Sequence, residues 1–235
     1  IENDTAYLLD FAGDAKRVSY AASLKISDVD EFAVNAYKKY LPKFDSISVR
    51  ETGLVDYLKE NYSVDAVSVL DPTLLVNRNL WHTLAGNKPT VSGKYLLLYY
   101  VNMPQKLVDS AFDYAKENGL EVVSLNKLKN VSKTYTDYSR SSAEEFLNLI
   151  KNASVVFTTS FHGMAFSVVF EKEFFYEVPP QSYNNNDRLN DLSAKLGLEK
   201  RNIYSEIEAI NWEDVNSKLE YYRNLSADFL RKALL

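Results

Sequence analysis

The run Val155-Val156-Phe157-Thr158-Thr159-Ser160-Phe161-His162-Gly163-Met164-Ala165-Phe166-Ser167-Val168-Val169-Phe170 constrains the fold more than any other stretch of the chain. Its opening residues are apolar with no polar alternate face, the pattern of a strand buried on both sides of a parallel sheet. Small polar residues and Gly163 interrupt the run, and a second apolar segment follows with the density of a buried helix. Between the two lies Ser160-Phe161-His162-Gly163, which holds one of only 2 histidines. Open α/β sheets bind ligands where strand C-termini run into helix N-termini, so this junction is the first candidate site.

The same alternation recurs along the chain. Strands are expected at Asp4–Phe11, Arg17–Ala22, Ser46–Val49, Ala66–Leu70, Tyr95–Val101, Glu121–Leu125, Val155–Thr159 and Glu173–Val178. Helices are expected at Asp28–Tyr40, Gly53–Asn61, Leu80–Leu84, Pro104–Asn118, Ala143–Asn152, Gly163–Phe170, Arg188–Leu196 and Trp212–Leu235. Asp28, Thr52, Asp187 and Asn211 are their expected caps where one is visible, and Ser142-Ala143-Glu144-Glu145 has the form of a capping box. Asn126–Arg140 and Pro179–Asn186 read as loops. Strands alternating with helices at this spacing predict βαβ units and parallel sheets. Gly86–Gly93 is the most linker-like segment, which predicts a boundary between two Rossmann-like domains, residues 1–86 and 94–235. The first block is short and opens partway through an alternation, and the chain begins at Ile1. Both observations lead to the expectation of an incomplete N-terminal domain in a fragment or processed form.

Composition narrows the function classes. Acidic and basic residues are mixed along the 235 residues, the net charge is -5, and no basic block stands out. That argues against sequence-independent nucleic-acid binding. The absence of cysteine rules out disulfides, thiolate metal sites and cysteine nucleophiles. The longest apolar runs, Tyr95–Val101 and Ala165–Phe170, fall short of the roughly 20 residues of a membrane span. No metal-ligand spacing, P-loop or dinucleotide fingerprint is present.

His162 is the strongest chemical candidate. A lone histidine is ordinarily a core residue satisfied locally, but its place at a strand-to-helix junction beside Gly163 favours a functional reading. The amides of Gly163, Met164 and Ala165 at that helix start are expected to face an anion. Arg50, at the end of a strand, is placed either to fork onto a carboxylate or phosphate or to pair with Glu51 or Asp56. Arg188 opens a helix, where an anionic ligand or plain solvent exposure would offset its unfavourable position in the dipole. Asp71, before Pro72, reads as turn chemistry, and His82 reads as structural.

Ser160–Ser167, Arg188-Leu189 and Leu196–Arg201 together resemble the polysaccharide pyruvyltransferase family. So do Ser19–Leu24, Ser48-Val49-Arg50-Glu51 and Leu70–Leu75, in the family's order. The resemblance implies two Rossmann-like domains arranged as in GT-B glycosyltransferases. It implies transfer of the carboxyethylidene unit of phosphoenolpyruvate to a glycan or lipid-linked saccharide as a pyruvate ketal, with no cofactor and no metal. It assigns His162 and Arg50 to the donor, with Ser160, Gly163, Met164 and Arg188 around it. Ser160 stands where many members carry arginine. A cytoplasmic protein working at the inner membrane face is expected from the same resemblance. A GT-B enzyme using a nucleotide sugar, bound beside Glu177 or Arg188, and a non-catalytic glycan-binding member are the alternative readings.

Overall fold

The computed structural model describes residues 4–101, 104–129, 132–178 and 187–235. The chain divides into two compact units, Ile1–Leu75 with Ser217–Leu235, and Val76–Asn216.

The first unit carries β1 (Val18–Ala22), α1 (Glu31–Tyr40), β2 (Ser46–Val49), α2 (Gly53–Tyr62), β3 (Val67–Ser68) and α3 (Pro72–Leu75). Its three strands are parallel in the order β1-β2-β3. Ile47 and Val49 of β2 pack with Leu54, Leu58 and Tyr62 of α2, which places that helix against the sheet. Asp30, not Asp28, caps α1 by accepting from the amide of Ala33, and residues Ile26–Asp28 form a separate 3-10 turn. Thr52 stands at the N-cap of α2 with helical backbone angles and no side-chain cap bond. Asp4–Phe11, expected as a strand, instead forms a 3-10 turn at Ala6–Leu8 closed by a left-handed Leu9. Arg17 holds that segment from outside, donating through Nε to the Leu9 carbonyl at 3.2 Å and through its terminal nitrogen to the Gly13 carbonyl at 2.7 Å.

The second unit carries α4 (Arg78–Leu84), β4 (Tyr95–Tyr99), α5 (Gln105–Glu117), β5 (Glu121–Ser124), β6 (Thr136–Asp137), α6 (Ala143–Asn152), β7 (Val155–Thr158), α7 (Phe161–Val169), β8 (Phe174–Tyr176) and α8 (Asp187–Leu196). All five strands are parallel, in the order β6-β5-β4-β7-β8. Leu96, Leu97 and Leu98 of β4 and Val155 and Val156 of β7 are buried on both faces of the sheet, as the apolar runs require. The Ser142 capping box of α6 is formed in both directions. The expected loop Asn126–Arg140 contains β6, a two-residue strand that the polar composition conceals. The expected loop Pro179–Asn186 lies outside the described residues.

The domain boundary falls elsewhere than composition suggests. Gly86–Gly93 is no linker, because α6 supplies hydrogen bonds to its backbone. Asn148, 4% exposed, donates to the carbonyls of Ala85 (2.7 Å) and Lys88 (3.0 Å) and accepts from the amide (2.8 Å) and hydroxyl (3.0 Å) of Thr90. Lys151 adds a bond to the Gly86 carbonyl at 2.7 Å. The division lies instead after Leu75, and the C-terminal helix α9 (Trp212–Leu234) belongs to the first unit from Ser217 onward. There the buried Ser226 hydroxyl accepts from the Leu70 amide at 2.9 Å, and the Arg223 Nε donates to the Leu74 carbonyl at 2.7 Å.

One contact sets the position of α7. A Cβ placed on Gly163 would lie 2.9 Å from the Cβ of Thr158 and closer still to its Oγ1. The missing side chain at Gly163 therefore lets α7 turn back directly onto the end of β7.

Two stability predictions follow from these contacts. Gly163→Ala lowers stability by about 1–3 kcal/mol through overpacking, and adding Thr158→Ala recovers part of the loss; equal stability of Gly163→Ala and wild type in chemical denaturation contradicts the packing argument. Asn148→Ala costs about 1–3 kcal/mol by orphaning the buried Ala85 carbonyl, and it raises proteolysis and amide exchange at residues 85–90 before the rest of the unit opens.

Candidate functional site

The order of the larger sheet fixes where a ligand crevice can open. The chain runs from β4 outward through β5 to β6, then returns to β7 on the other side of β4. The connections therefore diverge between β4 and β7, the switch point at whose carboxyl edge α/β sheets place their ligands. Tyr100 and Val101 leave β4 there, and Thr159 and Ser160 leave β7. The two strand ends remain joined: the Thr159 amide donates to the Tyr99 carbonyl at 3.3 Å, and the Val101 amide donates to the Thr159 hydroxyl at 3.0 Å.

His162 lies in the first turn of α7, immediately beyond this edge. Gly163 through Val169 are all buried, whereas His162 is exposed. That exposure removes the reading of His162 as a core histidine. The ring of Phe161 stands edge-on to the imidazole at 5.4 Å between centroids.

Ser160, 4% exposed, is the N-cap of α7. Its hydroxyl accepts from the Gly163 amide at 3.4 Å, its carbonyl accepts from the Met164 amide at 3.1 Å, and its own amide donates to the Thr158 hydroxyl at 2.9 Å. The Gly163 and Met164 amides expected to face an anion are therefore engaged inside the helix start. Met164 is fully buried, and Gly163 serves the approach of α7 to Thr158.

Arg50 belongs to the first unit, at the carboxyl end of β2. Its guanidinium pairs with Asp71 Oδ2 at 2.8 Å, with the two side chains 19% and 8% exposed. Neither Glu51 nor Asp56 is the partner in this ion pair; the Glu51 carboxylate accepts from the Ser23 hydroxyl. Asp71 makes the expected turn, accepting from the Thr73 amide at 2.9 Å through Oδ1, and orients Arg50 with its other oxygen. Nearby, the Tyr20 hydroxyl donates to the Leu70 carbonyl at 2.9 Å. Burial pushes its pKa up to about 12, so it stays a neutral donor at physiological pH.

The remaining candidates divide simply. Arg188 is exposed in the first turn of α8, so solvent offsets its place in the helix dipole. His82 is structural as expected, its ring edge-on to Phe170 at 5.1 Å and its pKa lowered first by burial and then by the charge of Lys151. Glu177, 5% exposed at the end of β8, has a role that the sequence did not suggest. One carboxylate oxygen accepts from the Leu107 amide in the first turn of α5 at 2.9 Å, and the other accepts from the Tyr204 hydroxyl at 3.0 Å. The start of α5 thus carries its own anion. Arg201 is 2% exposed, donating to the Phe174 carbonyl at 3.0 Å and pairing with Glu173, which makes it a structural residue. Among the described residues, no three or more His, Cys, Asp or Glu side chains are grouped to hold a metal.

Comparison with known proteins adds the following. Solved structures of wall teichoic acid polymerase TagF overlay on 94% of the chain with 11% identity and a TM-score of 0.43 for a histidine variant soaked with CDPG. The corresponding values for another TagF structure are 93%, 10% and 0.43. The chain spans 64% and 66% of those polymerase chains. No curated protein matches significantly. Residues 4–176 match the family described as polysaccharide pyruvyl transferase, a span that takes in Arg50, the switch point and His162 and ends before Arg188. On that match, over most of its length, the chain belongs to the polysaccharide pyruvyl transferase family.

Proposed function

We propose that this chain transfers the carboxyethylidene unit of phosphoenolpyruvate to two hydroxyls of a glycan sugar, forming a pyruvate ketal in polysaccharide biosynthesis. The observation that carries the reading is His162: an exposed imidazole at the switch-point edge, on a helix whose following residues are all buried. Membership of the family supports the same reading. The acceptor is a glycan or lipid-linked saccharide, and the protein works on the cytoplasmic side of the membrane. Among the described residues no helix is long and apolar enough to cross a membrane.

The chemistry assigns His162 a definite step. The methylene of phosphoenolpyruvate takes a proton from the imidazolium and becomes the methyl group, while C2 becomes electrophilic. One sugar hydroxyl adds to C2, and its proton returns to the imidazole. The C2–O bond to phosphate breaks, a second hydroxyl of the same sugar closes the ketal, and its proton leaves with inorganic phosphate. A positioned general acid contributes about 10²–10⁴-fold to such a step. Within the first unit, Arg50 is a candidate contact for an anionic group, and its Asp71 partner holds the fork in one orientation. Arg188 is the other candidate. Ser160 acts through the helix it caps, presenting His162 instead of contributing charge.

The test is phosphate release from phosphoenolpyruvate with a panel of hexosides bearing paired free hydroxyls. Wild type releases phosphate only with acceptor, and His162→Ala loses about 10²–10⁴ of that rate while remaining folded. Unchanged turnover in His162→Ala overturns the assignment of the acid. No turnover of phosphoenolpyruvate by wild type, with transfer from a nucleotide sugar, overturns the donor.

A further inference from the structure

The main chain leaving β4 is held on both flanks. On the β5 side, Asn126 makes a two-bond clamp on Tyr100: its Oδ1 accepts from the Tyr100 amide at 2.9 Å and its Nδ2 donates to the Tyr100 carbonyl at 2.9 Å. The side-chain amide thereby copies the pairing that a neighbouring strand would make, two residues beyond the end of the ladder between β4 and β5. Asn126 is itself fixed by the fully buried Ser124, whose hydroxyl donates to the Asn126 carbonyl at 2.8 Å and accepts from its amide at 3.1 Å. On the β7 side, the Thr159 hydroxyl accepts from the Val101 amide at 3.0 Å. Thr159 immediately precedes Ser160, the cap of the helix that carries His162.

These bonds form one continuous chain, Ser124–Asn126–Tyr100–Val101–Thr159, across the ends of β5, β4 and β7. Backbone groups of Tyr100 and Val101 that would otherwise project into the crevice are directed sideways into side-chain partners. The main chain of residues 100–101 is thereby held from both sides at the switch-point edge.

We propose that Asn126 and Thr159 are positioning residues for the reaction, fixing the main chain of residues 100–101 as the floor on which the donor lies next to His162. This rests on the pyruvyl-transfer reading. Neither residue touches the reacting atoms; each acts through the backbone that it holds. Misplacement on the order of 1 Å at a reacting centre costs roughly 100-fold in rate, so a modest loosening here is readable in kinetics.

The experiment compares Thr159→Val, Thr159→Ser and Asn126→Ala with wild type, well below their melting temperatures. Phosphate release from phosphoenolpyruvate and amide exchange at Tyr100 and Val101 are both followed. Valine keeps the volume of threonine and loses the acceptor; serine keeps the acceptor. The expected result is a fall in kcat on the order of 10–100-fold for Thr159→Val and Asn126→Ala, with faster exchange of the Val101 or Tyr100 amide respectively. Thr159→Ser retains at least half of the wild-type kcat. A purely structural role would lower the melting temperature and leave the kcat of folded protein unchanged, and that outcome overturns the proposal. Loss of activity in Thr159→Ser equal to that in Thr159→Val also overturns it. A wild type that never turns over phosphoenolpyruvate overturns the pyruvyl-transfer reading and this role with it, whereas an active wild type beside an equally active Thr159→Val overturns the role alone.

Discussion

The approach of Gly163 to Thr158 is the contact on which the site depends. A strand buried on both faces must hand its chain to a helix without leaving polar backbone stranded. Here the handover takes Thr159 and Ser160 alone between β7 and α7. It works because Gly163 has no side chain to collide with Thr158, and because Ser160 satisfies the amide of Gly163. The helix behind is entirely buried, so its orientation is fixed by packing, and His162 is carried outward by that orientation. Gly163 admits the close approach of the end of β7. Ser160 works as the cap of α7.

The larger sheet and the candidate site were legible because their signal is local. Apolar residues on successive positions of β4 and β7 announce burial on both faces, and the polar break at Ser160 announces the strand's end. The capping box at Ser142 was equally plain, since both partners lie within four residues. What stayed hidden depends on side chains reaching backbone far away in sequence. Asn148 turns the apparent linker Gly86–Gly93 into part of the second unit, and nothing in the spacing of residues 86–93 reveals it. Ser226 draws the end of α9 to Leu70 across 156 residues. The ion pair of Arg50 with Asp71 spans 21 residues and was masked by nearer acids at 51 and 56. Residues Asp4–Phe11 failed as a strand for the opposite reason: a left-handed Leu9 closes them into a turn.

Electrostatics separates the two helix starts at the edge of the larger sheet. The first turn of α5 is neutralised from within by Glu177, which is anchored in turn by Tyr204. The first turn of α7 is capped by the uncharged hydroxyl of Ser160 on the Gly163 amide and presents an exposed imidazole. The start of α5 is thus occupied by a carboxylate, whereas that of α7 is capped by a neutral side chain. This asymmetry accords with placing the donor of the proposed reaction by His162.

The central claim is that His162 meets the donor. Because the chain has 2 histidines, imidazole proton and carbon resonances offer a direct reading. His82, packed against Phe170, serves as the internal control. Titration with phosphoenolpyruvate should shift the His162 signals saturably and leave those of His82 in place. Saturable binding of phosphoenolpyruvate that leaves the His162 signals unmoved, or no binding at all, would contradict the account.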